Sequence, residues 1–148
     1  MFIDADSVVL ENIEELFQIQ EFAAVYECCD RFNTGVFVAF PSQSIFQDML
    51  NQIPLLPSYD IADQGFLNSY FHGKWKQLPF GYNAMQNTYL FIDRRAWDMS
   101  QVKIIHYIKF KPWSISETDK TKHNLHELHS KWWNAYFALP KKHQTLRT

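Results

Sequence analysis

Met1-Phe2-Ile3-Asp4-Ala5-Asp6 opens the chain with an apolar run that delivers two carboxylates two residues apart. If the run is a strand leaving a sheet, Asp4 and Asp6 stand near its carboxyl end, where open α/β sheets bind ligands. Oxygens from both can then meet one divalent cation. Alone, an Asp-x-Asp is more often two exposed acids in a turn, so its reading depends on the rest of the chain.

Outward from the acids, Ser7-Val8-Val9-Leu10 is a short β-prone run. Asn12 with Glu15 has capping-box spacing, and Ile13, Leu16 and Phe17 recur at the period of a helix facing the core. A strand is expected over residues 21–26 and a buried strand over residues 32–40, where Asn33, Thr34 and Gly35 form a polar lead-in. By spacing alone, Asn33 and Gly35 shape a turn into that strand. Ser42 or Ser44 then caps a helix whose core face is Ile45, Phe46, Met49, Leu50 and Ile53, stopped by Pro54 and Pro57.

Asp60 and Asp63 stand three apart at the start of another helix, with Phe66, Leu67, Tyr70 and Phe71 as its apolar face. One acid can cap it and the other can favour its first turn, which needs no function. Residues 72–77 read as a polar connector, residues 88–92 as a strand that contains Tyr89, and residues 102–108 as a strand ending near His106. A histidine beside an apolar strand is commonly a satisfied core residue. In the tail, Asn124 is read as a cap before the stripe Leu125, Leu128, Trp132, Tyr136 and Leu139, widened by Trp133 and Phe137 and ended by Pro140. His123, His126 and His129 also have helical spacing; with no third ligand apparent, a solvated face explains them better than a metal site. Lys141, Lys142 and Arg147 suit a frayed terminus.

Composition bounds the function classes. A chain of 148 residues suffices for one domain with a real core. A net charge of −2 supplies no basic field for nucleic acid. No apolar run is long enough to span a membrane, and the acidic start lacks the form of a signal peptide, so a cytoplasmic protein is expected. Cys28 and Cys29 are adjacent, which disfavours a disulfide between them and fits reduced thiols.

Taken together, Asp4-Ala5-Asp6, Asn33-Thr34-Gly35, Asp60-Ile61-Ala62-Asp63-Gln64-Gly65, Leu78-Pro79-Phe80-Gly81-Tyr82-Asn83 and His106 followed by Lys111-Pro112-Trp113 fall in the order of one family. The chain resembles glycogenin and galactinol synthase, retaining glycosyltransferases of the GT-A fold, from about Phe2 to Trp113. The resemblance implies an α/β fold, the carboxyl-terminal part of a GT-A nucleotide-diphospho-sugar transferase domain with a mixed sheet and flanking helices. It would occupy residues 1–139, with a flexible tail over 140–148, and would be amino-terminally truncated relative to the family.

The same resemblance assigns roles. Asp4, Asp6 and His106 would hold the metal, and Lys111 would meet the donor phosphate; Ala5, between the acids, counts with the donor-binding residues. Asn33, Thr34, Gly35, Asp60 and Gln64 would hold the sugar, with Asp63 beside the reacting carbon. Two carboxylates and an imidazole suit Mn²⁺, with Mg²⁺ as the alternative, better than Ca²⁺. The partners implied are a UDP-sugar donor and a carbohydrate, polyol or protein acceptor, and a homodimer is compatible. Lys109 stands where many relatives have glycine, and Tyr89 does not match the family's self-glucosylated tyrosine. The competing expectation is a catalytically inactive fragment that binds or dimerises.

Overall fold

The computed structural model describes residues 1–91 and 97–144. Among the described residues the strands are β1 (Phe2–Ile3), β2 (Ser7–Val9), β3 (Ala23–Cys28), β4 (Arg31–Val38), β5 (Lys76–Leu78), β6 (Ala84–Met85) and β7 (Ile104–His106). The α-helices are α1 (Gln43–Gln52), α2 (Asp63–Tyr70), α3 (Gln86–Phe91), α4 (Glu117–Lys122) and α5 (His126–Ala138). They form two compact units: Met1–Asp4 with Ile13–Tyr82, and Ala5–Asn12 with Asn83–Thr148.

The first unit is built on a mixed sheet in the order β1-β4-β3-β5. β3 and β4 are antiparallel and meet in a two-residue turn, Cys29 and Asp30, whose positive φ values of 54° and 60° match the twist of the strands. Cys28 and Cys29 are exposed free thiols there. Alternation along β3 separates two apolar clusters. Ala23 and Val25 face Leu16, Val38 and Leu78, whereas Ala24 joins Phe22 and Phe32, against which Phe37, Leu67, Phe71 and Trp75 pack.

Asn68 fastens α2 to this sheet. Its carboxamide accepts from Phe32 N–H and donates to Phe32 C=O, both at 2.9 Å, as a neighbouring strand would.

Several expectations need correction in this unit. The connector over residues 72–77 contains the start of β5, which pairs parallel to β3 with Ala23 opposite Lys76. The segment after Asn12 is a 3₁₀ helix, Glu14–Gln18, flanked by Ile13 rather than capped by Asn12; it buries Leu16 and leaves Phe17 exposed. Ser42 does cap α1, accepting from Ile45 N–H at 3.3 Å. Its expected core face is open, however: Ile45, Phe46, Leu50 and Ile53 are exposed. Period alone identifies an apolar stripe but not the surface that covers it.

The second unit has a three-stranded sheet in the order β2-β7-β6. Ser7 lies opposite His106 in the antiparallel β2–β7 pair, and Met85 opposite His106 in the parallel β6–β7 pair. Ile104, Ile105, Tyr107, Leu125 and Leu128 are fully buried, and Tyr107 O–H donates to Leu128 C=O at 2.6 Å.

Residues 88–91 are helical, not a strand: Gln86 and Tyr89 are buried three apart on α3, with Tyr89 edge-on to Trp97 at 5.2 Å. Ile92, the last residue of that expected strand, lies outside the described residues. Asn124 caps the end of α4 rather than the start of α5. Its φ of 52°, with bonds from Asn124 N–H to Thr121 C=O and from Leu125 N–H to Lys120 C=O, makes a Schellman ending. In the tail, Leu139 is exposed and Lys141–His143 form a 3₁₀ turn, while Arg147 lies outside the described residues.

Candidate functional site

In the second unit, chemistry gathers where β2 begins and β7 ends. Asp6 C=O accepts from Tyr107 N–H at 2.9 Å, which holds the acid beside the end of β7. His106 Nε2 is then 3.2 Å from Asp6 Oδ1, while Lys111 Nζ bonds Asp6 Oδ2 and donates to Tyr107 C=O at 2.6 Å.

His106 is buried, and burial holds its pKa below the ordinary value; Asp6 pulls upward and Lys111 adds to the fall. The ring is therefore neutral near pH 7. Its Nδ1 is 3.0 Å from Oδ1 of the fully buried Asn83. With Nδ1–H donated to that carbonyl oxygen, the Nε2 lone pair faces the Asp6 carboxylate. Two acceptors so juxtaposed call for a cation between them. A separation of 3.2 Å suits two adjacent ligands each about 2.1 Å from one ion. The donor set thus fits a divalent metal.

Gln86 fixes the loop between His106 and Lys111. It is fully buried; its Oε1 accepts from Phe110 N–H at 2.7 Å, and its Nε2 donates to Phe110 C=O at 2.9 Å. Lys109, in place of a glycine, lies 4.8 Å over the Phe91 ring. Its charge is thus held by an aromatic face.

The first unit holds the residues expected at the sugar. Thr34 N–H donates to Gln64 Oε1 at 3.0 Å, and Thr34 Oγ1 donates to Asp63 Oδ2 at 3.2 Å, so these three residues converge. Gln64 Nε2 donates to Glu27 Oε2 at 3.1 Å and to Tyr59 Oη at 2.9 Å. Asn33 is buried, and its Oδ1 accepts from Gly35 N–H at 2.9 Å inside β4, at a register shift against β3, so these residues kink the strand rather than form the turn expected before it.

Asp60 Oδ1 accepts from Ser58 Oγ, Ala62 N–H and Gly65 N–H, so the acid organises the entry to α2. Burial raises its pKa, but these hydrogen bonds outweigh that and hold it below the usual value. Asp4 belongs to this unit too, where its N–H donates to Gly35 C=O at 2.7 Å and extends the β1–β4 pairing. Ala5 is exposed in the turn that begins the second unit.

Sequence reasoning missed Asn83, Gln86, Asn68, Glu27 and Tyr59. Asn83 lies in the motif over residues 78–83, but nothing local in that motif specifies which ring the amide meets. His129 proves to be a buried residue against Gln86, with Nε2 to Nε2 at 3.0 Å, rather than part of a solvated face.

The mixed sheets and flanking helices define the α/β class, as part of a GT-A domain. The apo-form glycosyltransferase GlyE of Streptococcus pneumoniae superposes with a TM-score of 0.59 at 20% identity, over 95% of this chain and 43% of GlyE. Residues 1–117 match the family model of glycosyl transferase family 8, and the chain belongs to that family. Glycogenin-1 of Homo sapiens is 33% identical over 92% of the chain and 44% of its own length. Inositol phosphorylceramide glucuronosyltransferase 1 of Arabidopsis thaliana is 30% identical over 95% of the chain and 27% of its own length. The chain therefore spans less than half of either relative.

Proposed function

We propose that the chain carries the metal and donor site of a retaining glycosyltransferase that moves a hexose from a UDP-sugar to a carbohydrate, polyol or protein acceptor. The observation that carries this reading is the neutral His106, oriented by Asn83, facing Asp6 beside Lys111. Asp4 joins these ligands because it stands two residues before Asp6 in the chain. Bound there, Mn²⁺ or Mg²⁺ would neutralise charge on the departing diphosphate. Lys111 adds a cation for a phosphate oxygen. Gln86, by gripping Phe110, limits the loop on which Lys111 rides.

At the sugar, Asn33, Thr34, Gly35, Asp60 and Gln64 fix the ring by hydrogen bonds, and positioning of this kind lowers the barrier through pre-paid entropy. Asp63, held by Thr34 Oγ1, lies beside the anomeric carbon and stabilises an oxocarbenium-like transition state. Glucuronosyl transfer by the Arabidopsis inositol phosphorylceramide glucuronosyltransferase is a precedent for the sugar moved.

The test is calorimetric titration of UDP into the chain with and without Mn²⁺, alongside Asp6→Asn and Asn83→Leu. Binding that requires both metal and Asp6, and that weakens roughly tenfold in Asn83→Leu, supports the assignment. Mn²⁺-dependent affinity unchanged in Asp6→Asn overturns it.

A further inference from the structure

We propose that the second unit carries a platform for neutral oligosaccharide, built by α4, α5 and the segment leading into α4. Trp133 and Phe137 follow each other by one turn of α5, with centroids 5.5 Å apart and planes 23° from parallel. Trp132 packs against Trp113 at 5.0 Å and stacks on Tyr136 at 5.3 Å, so the rings are locked by one another. Even so, Phe137 is 54% exposed and Trp113 is 38% exposed.

Trp113, Ile115, Trp133 and Phe137 line an open cleft of about 380 Å³ whose polar wall is Glu117 and Lys120. Lys120 Nζ donates to Glu117 Oε1 at 2.6 Å, and the lysine side chain is only 18% exposed.

That lining discriminates among ligands. An anion would meet Glu117, and a cation would meet Lys120. A purely apolar occupant would strip water from the ion pair without supplying hydrogen bonds in return. A pyranose meets both demands: its C–H face lies on an aromatic ring, and its hydroxyls can donate to the carboxylate and accept from the ammonium. Rigid rings also reduce the ordering cost of binding. Asp6, His106 and Lys111 are not among the lining residues, although Pro112, next to Lys111, is, so the platform would hold a part of a sugar chain that does not react.

The probes are maltohexaose and xylohexaose, two neutral unbranched chains, titrated into the 148-residue protein. Tryptophan fluorescence and the NMR signals of the indole N–H groups report binding. At least one sugar should give a saturable change, and Phe137→Ala or Trp113→Ala should weaken it by roughly tenfold. Both sites are partly exposed, and circular dichroism verifies folding of each variant. A folded chain that responds to neither sugar overturns the proposal, as does affinity unchanged in both variants. UDP titration of the same sample reads the donor site separately, so either reading can fail alone.

Discussion

His106 and His129 are both buried, yet one faces a carboxylate and the other does not. His129 accepts from Gln86, and its Nδ1 has no hydrogen-bond partner among the described residues; burial foremost, with nearby Lys120 adding, lowers its pKa to about 4. An unfolded histidine titrates near about 6.5, so between those values the unfolded chain binds a proton that the folded chain refuses. Stability should therefore fall as pH drops through that window, by on the order of 3 kcal/mol from this group. Urea unfolding from about pH 7 down to about pH 4.5 reads the slope, and His129→Gln should reduce it. His106 contributes in the same direction, so some slope remains in that variant. At this scale, the resemblance singles out Asp6, His106 and Lys111, and the structure brings their side chains together. Asn83 and Gln86 were not legible, because their partners lie 23 and 24 positions away and a polar side chain does not announce what it bonds.

The entry to α2 shows how one short element couples backbone strain to site geometry. Ile61 has a φ of 58° and is 94% exposed, so a β-branched residue holds a left-handed conformation without packing in return. Ile61→Gly should stabilise the chain by roughly 1 kcal/mol in thermal denaturation. Gly65 is required for a different reason. A Cβ there would collide with Asp60 Oδ1 and Ser58 Oγ and come within 2.7 Å of Tyr59 N. Gly65→Ala should cost roughly 1–3 kcal/mol and raise the Asp60 pKa as the Gly65 N–H bond lengthens, which carboxyl NMR titration can follow. The start of α2 was legible from Asp63, which stands in its first turn, but the N-cap position expected for an acid is held by Ala62. The helix over Gln86–Phe91 was not, because a short apolar run serves either period until a buried partner, here Trp97 on Tyr89, selects one.

For the whole molecule, the open apolar face of α1 is the largest departure from expectation. Phe46 is half exposed and Leu50 nearly so, four residues apart on one helix. Replacing them together, Phe46→Glu with Leu50→Lys, puts an oppositely charged pair at favourable spacing. Unfolding free energy should change by less than about 1 kcal/mol. Phe71→Ala, which removes a ring stacked on Phe22 at 4.0 Å, should cost more in the same urea assay. By itself, the order of motifs determined family and fold class, because the resemblance rests on particular side chains at several well-separated places in the chain. Period and caps located β4, β7, α1 and α2. Only tertiary structure decided that Asn83 orients His106, that Gln86 grips the loop bearing Lys111, and that α1 turns its apolar stripe outward. Those outcomes depend on contacts between residues far apart in the chain, where local pattern carries no information about which surfaces meet.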